Sequence, residues 1–566
     1  MRALVRALVR APALGLVLAV AACAHGPAGE LRFHNRPPVW RVDDRAPFAR
    51  PPAVRVYHRA LYHVDGFVVR RATRLMEVRL PTRARDVSSL DEVPDSTWFE
   101  NRIGVRDLSL DEVRRGPNLG GSPFDHLPWT ITGAKVGGTA VGFRFRDARG
   151  AAYILKLDPR EIPELETGAH VIGHRILWAC GYHVPEDYLG YVRRGDLRIA
   201  PDATQRDARG RQVPLRAAHV ERMLARVFRT GDGRYRAIAS RLLPGKPLGP
   251  FAREGRRPDD PNDLVPHEQR RSLRGQHAIF SWLNHTDIQE DQTLDVFVEQ
   301  PGAPGRGHVV HYILDFGLAL GVLGHKARTQ TVGYTYMVDV EMAFGALVSL
   351  GLWRRPWEGI AAPGLRGVGL FEAAHYEPGL WRPSSLYWPY EDRDRFDGFW
   401  GAKILIRFTR AQLAAIVDEA RYSDPAAARY VVETLIARQR KAARYWFAQV
   451  APLDRFAIGF AIEPSARLCF DDLALVHGLA SPAGAPTRYL ADAYDGAGAA
   501  TGYRRQLAAA PGGRTCLDGI EPSRSAGGYT IVRLRVQRGA RALPPVRVHL
   551  ATDPAGRLRV IGLRRE

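Results

Sequence analysis

One stretch limits what this chain can become. Residues 275–321 read GQHAIFSWLNHTDIQEDQTLDVFVEQPGAPGRGHVVHYILDFGLALG. An apolar run ending near Asn284 predicts a helix, and a polar loop carrying Asp287 follows it. Two runs rich in β-branched and aromatic residues come next, 293–298 and 308–314, joined by the connector EQPGAPGRG, so they predict a hairpin. Antiparallel pairing brings the start of the first strand and the end of the second to the same end. Gln292 and Asp315 meet there, with Asp287 hanging over them. Aspartate in a loop is often only turn chemistry; three polar groups meeting at one hairpin end are a site.

Two carboxylates so placed can divide phosphoryl transfer between them. One faces an incoming hydroxyl and the other holds the metal on the nucleotide phosphates. His285-Thr286-Asp287, Gln292 five residues on, and Asp315-Phe316-Gly317 resemble the catalytic loop and DFG segment of the protein-kinase-like fold. The likeness is nearer to the atypical branch, HipA-type and phosphoinositide-kinase-like proteins, than to ordinary protein kinases. It implies ATP and magnesium as cofactors, Asp287 as base and Asp315 as metal ligand. Gln292 stands where the family carries a metal-binding Asn, and sets its amide oxygen one methylene further out.

Upstream, Gly133, Gly137, Gly138 and Gly142 crowd a stretch that leads into a strand around Lys156. Glycines let backbone amides approach phosphates, and by the same resemblance these four and Lys156 would bind the nucleotide, although the spacing is not GxGxxG. Lysine is scarce here, six among 81 basic residues, so Lys156 marks a position where arginine does not serve. Residues 165–180, LETGAHVIGHRILWAC, are apolar at 165, 169, 172, 176 and 180, which predicts a helix closed by Gly181. Glu166 on its first turn is the candidate partner of Lys156. Glu161 and Glu164 stay open as alternatives, since carboxylates favour a helix N-terminus in any case.

The net charge of +21 is almost wholly arginine. No RNP, zinc-finger or basic-zipper pattern accompanies it, so nucleic acid is not the expected partner; a solvated basic surface or attraction to anionic lipid or wall polymer is. Residues 1–22 read as a signal segment: three arginines in the first ten, then an apolar run too short to span a bilayer. Val20-Ala21-Ala22-Cys23 resembles a bacterial lipobox. That implies a membrane-anchoring lipidated Cys23 and, with Ala24 following, an outer-membrane location facing the periplasm or the surface. Cys180 ends an apolar helical stretch and is expected as a buried free thiol. Cys469 and Cys516 fall together in the C-terminal region, where an oxidising compartment would allow a disulfide; sequence leaves the pairing open. There is no CxxC or HExxH spacing, and no zinc site is expected.

The expected architecture is α+β, a two-lobed protein-kinase-like fold with an N-terminal tether and a C-terminal all-β domain. Residues 1–22 are the signal, 23–56 a Pro/Arg-rich tether, and 57–129 an arm whose Trp98 and Phe99 pack on the core. Residues 130–248 form the N-lobe, with a hairpin over 226–229 and 235–243 and a hinge at 243–248. Residues 249–453 form the helical C-lobe, with a helix over 267–284 and a capping box at Thr409. Residues 454–566 form a β sandwich with strands at 456–462, 467–476, 528–537, 546–552 and 558–563. The functional expectation is a lipid-anchored envelope protein that transfers phosphate from ATP to a hydroxyl of a protein, lipid or polysaccharide. The alternative is a pseudokinase or envelope-binding lipoprotein of the same fold without turnover.

Overall fold

The computed structural model describes residues 32–78, 81–135, 140–207, 209–322, 332–355, 357–460, 466–480 and 486–566. Cys23, Gly137 and Gly138 lie outside the described residues. The chain forms two compact units, the larger from Val39–Pro452 with Leu473–Ser481, the smaller from the remainder. Among the described residues no helix is long and apolar enough to cross a membrane.

The larger unit mixes sheet and helix. A two-residue strand, β1 (Phe48–Ala49), precedes β2 (Trp129–Ala134), β3 (Gly142–Arg146), β4 (Ala152–Leu157), β5 (Asp187–Val192), β6 (Leu197–Arg206), β7 (Gln212–Pro214) and β8 (Tyr235–Arg241). Strands β2 to β8 make one sheet in the order β5-β8-β4-β3-β2-β6-β7, antiparallel except where β2 meets β6. Alternation along β4 sends Tyr153, Leu155 and Leu157 into one apolar core with Trp129, Phe143 and Phe145. The same alternation turns Lys156 to the other face. Helix α1 (Leu165–Cys180) follows, and Asp158 anchors its start by accepting from the Thr167 hydroxyl at 2.7 Å and from the backbone N–H of Glu164 at 3.0 Å. Cys180 is a buried free thiol.

The hairpin forms as its sequence predicts. Strands β10 (Thr293–Gln300) and β11 (Ala303–Ile313) pair antiparallel with Thr293 opposite Ile313, and the Leu314 N–H donates to the Gln292 carbonyl at 2.8 Å. Strand β9 (Lys246–Pro247) pairs with β10 and β1 with β11. Helix α2 (Gln276–Leu283), buried along its length, delivers the loop that carries Asp287. Its C-terminal end is held by Arg438, which donates to the carbonyls of Ser281 at 2.6 Å and Trp282 at 2.8 Å, and Asn284 closes it at φ +47°. Arg438 belongs to α4 (Pro425–Phe447), which follows α3 (Arg410–Asp418) with its capping box at Thr409.

Several expectations change. Residues from Val39 onward are part of the larger unit rather than tether: β1 joins the hairpin edge, where Phe48 meets Phe297 edge-on. The helix expected over 267–284 is interrupted at Arg270, whose backbone is extended and after which Asp86 accepts from the N–H groups of Arg271 and Ser272. Gly275 stays helical at φ −70° and lets Trp400 pack closely, since a Cβ there would lie 2.5 Å from it. Residues 226–229 make single bridges rather than a strand, Val227 with Pro159 and Arg229 with Tyr235. Trp98 and Phe99 are buried, as expected.

Among its described residues the smaller unit is all-β apart from a single 3-10 turn. Strands β12 (Leu453–Phe460), β13 (Ala466–Asp472) and β16 (Arg514–Ile520) form one sheet; β14 (Thr487–Asp495), β15 (Ala500–Ala508), β17 (Thr530–Arg538), β18 (Arg541–Thr552) and β19 (Leu558–Arg565) form the other, in the order β15-β14-β17-β18-β19. The sheets pack through apolar faces, with Phe470 of β13 edge-on to Tyr489 of β14 at 5.1 Å. Cys469 and Cys516 stand opposite each other on β13 and β16 and form a disulfide. The strand expected over 467–476 stops at Asp472, and Leu473–Val476 is helical.

Candidate functional site

The site is assembled from four places in the chain. β4 supplies Lys156, the first turn of α1 supplies Glu166, the loop after α2 supplies Asp287, and the end of β11 leads into Asp315. Lys156 Nζ lies 2.7 Å from Asp315 Oδ1. Burial works against the lysine charge, but Asp315 and then Glu166 outweigh it and hold its pKa above the ordinary value. The same pairing, with His170 adding to it, holds the Asp315 carboxyl well below the usual range against its own burial.

Glu166 stands beside the Asp315-Phe316-Gly317 segment: a Cβ on Gly317 would lie 2.8 Å from its Cγ. Burial pushes Glu166 up to about 7, with Lys156 opposing the shift. The expected Lys156–Glu166 partnership is therefore electrostatic only, and the close ion pair of Lys156 is with Asp315. Phe316 is fully buried against α1, edge-on to His170 and His174 at 5.4 and 5.3 Å, and the missing side chain of Gly173 leaves room for it. Both histidines face Asp187, with His170 Nε2 2.6 Å from its carboxylate.

Asp287 is held by two amides. Gln289 Nε2 donates to Oδ1 at 2.7 Å and Gln292 Nε2 to Oδ2 at 2.8 Å. Burial raises its pKa to about 7, with Asp315 and Asp291 adding to the rise and the Gln289 bond and Arg59 opposing it. A carboxyl poised there can gain or lose a proton near neutrality, which suits a general base. His285 is a structural neighbour: it stacks on Phe280 at 4.6 Å, hydrogen-bonds the Asp315 backbone, and burial drives its pKa down to about 4. Asp315 itself sits at φ +54°, a left-handed conformation that aims its carboxylate at Lys156.

Three residues of the site were not foreseen. Lys135, at the end of β2, lies in the same field; burial and the neighbouring Lys156 lower its pKa, while Asp315 and Glu166 oppose the shift. Its rarity as a lysine was the available signal. Gln289 and Asp291 share the loop of Asp287 and are noticeable only as polar density there. The glycines divide. Gly133 and Gly142 are explained by sheet packing, since a Cβ would lie 2.8 Å from the Thr204 carbonyl oxygen in the first case and 2.1 Å from that of Leu155 in the second.

The donor set suits a hard cation held jointly with phosphate. Asp291 Oδ1 and Gln289 Oε1 are buried acceptors without a hydrogen-bond partner, and the Asp315 side chain is 35% exposed. Among the described residues no group of three or more His, Cys, Asp or Glu could hold a metal alone. Magnesium bound through one or two carboxylates plus substrate phosphates needs no such group.

The Asp287 carboxyl is expected to titrate with a midpoint near 7, followed by carboxyl carbon NMR and assigned by its loss in Asp287→Asn. Gln289→Leu removes a donor that favours the charged form, so the midpoint moves higher. A midpoint near 4 in the wild-type chain would show that the carboxyl is not buried as described.

No family model and no curated protein matches this chain. Among solved structures, the crystal structure of the Golgi casein kinase with Mn/ADP bound is matched over 60% of this chain and 73% of that one, at 10% identity and a TM-score of 0.26. At that TM-score the likeness has no bearing on fold or chemistry.

Proposed function

We propose that the larger unit is a two-lobed protein-kinase-like domain that binds ATP with magnesium and transfers the terminal phosphate to a hydroxyl. The observation that carries this is the meeting of Lys156, Glu166, Asp287 and Asp315 from four separate segments around one point. Lys156 and Lys135 hold the phosphates, Glu166 tunes Lys156, and Asp287, oriented by Gln289 and Gln292, accepts the proton of the attacking hydroxyl. Asp315 would hold magnesium, with Asp291 and the Gln292 amide oxygen as further donors. The ion would supply charge neutralisation on the phosphates. The work asked of the chain is positioning and electrostatics. We also propose that Cys23 is lipidated and holds the protein to the outer membrane.

A second reading has its own support. Lys156 pairs with Asp315 rather than Glu166, and Gln292 spends its amide on Asp287. Both fit a pseudokinase that grips nucleotide without turnover.

Thermal unfolding tests the shared premise. ATP with magnesium at a hundredfold excess over Kd should stabilise the chain by about 2.7 kcal/mol, and Asp315→Asn should remove the magnesium-dependent part. No stabilisation by ATP with magnesium would end both readings. Labelled phosphate transferred to envelope components separates enzyme from pseudokinase.

A further inference from the structure

The outer face of the smaller unit's five-stranded sheet carries a row of charged side chains, four of the five being arginines. Directly opposite one another across β15, β14, β17, β18 and β19 stand Arg504, Asp492, Arg533, Arg547 and Arg564. Three arginines thus neighbour each other on adjacent strands, an arrangement that weakens pairing. Arg488 of β14 and Arg535 of β17 lie on the same face by strand alternation. Asp492 accepts from Arg504 at 3.2 Å, Arg533 at 3.3 Å and Arg535 at 2.7 Å, and Glu566 pairs with Arg547 at 2.7 Å. The arginines outnumber these carboxylates, so the face stays positive. Arg504 and Arg535 side chains are 85% and 44% exposed, and Arg488 and Arg564 are exposed too.

The first described residues lie on this same face. The Phe33 ring sits edge-on to His549 at 4.9 Å and fills the space over Gly562, where a Cβ would come within 2.3 Å of it. His549 and Gly562 are each two residues along their strands from Arg547 and Arg564, so Phe33 is seated beside the arginine row. Its backbone N–H donates to the Tyr529 hydroxyl at 2.8 Å. Cys23 is ten residues before Phe33. Fully extended, that connection reaches at most about 35 Å.

We propose that this arginine face docks on the anionic phosphate headgroups of the membrane entered by acyl chains on Cys23. The orientation rests on the lipidation reading of Cys23; the headgroup binding rests on the sheet alone. Guanidinium groups meet phosphate oxygens through paired, charge-assisted hydrogen bonds. An acyl anchor with a basic patch nearby is the two-signal arrangement that makes peripheral attachment stable. Each basic side chain near such a surface adds roughly fivefold to the partition.

The test uses the whole chain after the signal segment, without acyl groups, in co-sedimentation with vesicles. Phosphatidylethanolamine vesicles containing phosphatidylglycerol should bind it, and vesicles with phosphatidylcholine in place of phosphatidylglycerol should not. R504Q/R535Q/R564Q should lower the partition about a hundredfold. R467Q/R505Q/R514Q removes the same charge from the other sheet and from the opposite side of β15, and should leave the partition within a fewfold of wild type. Should the first triple variant not melt cooperatively, R564Q alone is compared with wild type, with a roughly fivefold loss expected. No binding to phosphatidylglycerol vesicles, equal losses in the two triple variants, or capture of soluble polyanions in preference to vesicles would each overturn the proposal. Mass analysis of the N-terminal peptide decides lipidation separately: an unmodified Cys23 removes the anchor and leaves the vesicle result to decide the face.

Discussion

Asp287→Asn is expected to slow phosphate transfer by about 10²- to 10⁴-fold, the span that one positioned general base contributes, while stabilisation by ATP and magnesium persists. Asparagine has nearly the same shape but cannot take up a proton at neutral pH. The two amides that hold the carboxylate, Gln289 and Gln292, have donors directed at both its oxygens. One of them would then face the new amide nitrogen, and a flip that presents its own oxygen restores the bond. The substitution therefore removes the titratable group of the proposed base without dismantling the loop. Transfer kept within tenfold of wild type, measured with labelled ATP, would show that the proton goes elsewhere. Loss of both transfer and ATP binding would instead point to a collapsed loop.

Asp397→Ala is expected to cost about 3–5 kcal/mol of stability, as removing one partner of a buried ion pair does. Arg271 Nε lies 3.2 Å and Arg274 Nη1 3.6 Å from this carboxylate, and all three side chains are essentially without solvent. Arg271 also reaches Asp91 at 2.6 Å, which ties the early arm to the segment just before α2. Removing Asp397 takes the shared carboxylate from two buried guanidinium groups, leaving Arg271 to Asp91 and the field of Asp394, where water cannot replace the loss. Urea unfolding should rank Asp397→Ala below Asp397→Ala with Arg274→Met, because Arg271 keeps its pairing with Asp91 and the charge left stranded is that of Arg274. A single variant within about 1 kcal/mol of wild type would mean that solvent reaches the cluster.

How far the chain could be read from its letters follows the range of the forces involved. The hairpin of β10 and β11 was legible because alternation and a Pro/Gly connector act within twenty residues, and register then carried Gln292 and Asp315 to the same end. Lys156 stood out because arginine is the default basic residue here. The interruption at Arg270 is not legible, since Asp86, far away along the chain, accepts from the N–H groups of Arg271 and Ser272 there. β15 was missed for a different reason: ATGYRRQLA is a solvent-facing edge strand with little apolar alternation to betray it. The close partner of Lys156 also escaped, because two carboxylates compete for it and the winner depends on the left-handed turn at Asp315.

The 2.7 Å contact between Lys156 and Asp315 has a thermodynamic corollary. Each of these groups already satisfies the other, so an anion alone must strip the lysine from its aspartate, and a cation alone must strip the aspartate from its lysine. Arriving together, the two ligands exchange one ion pair for two. On the proposed function, nucleotide and divalent cation should thus strengthen each other's affinity, making the site a coincidence detector for the pair rather than a store for either.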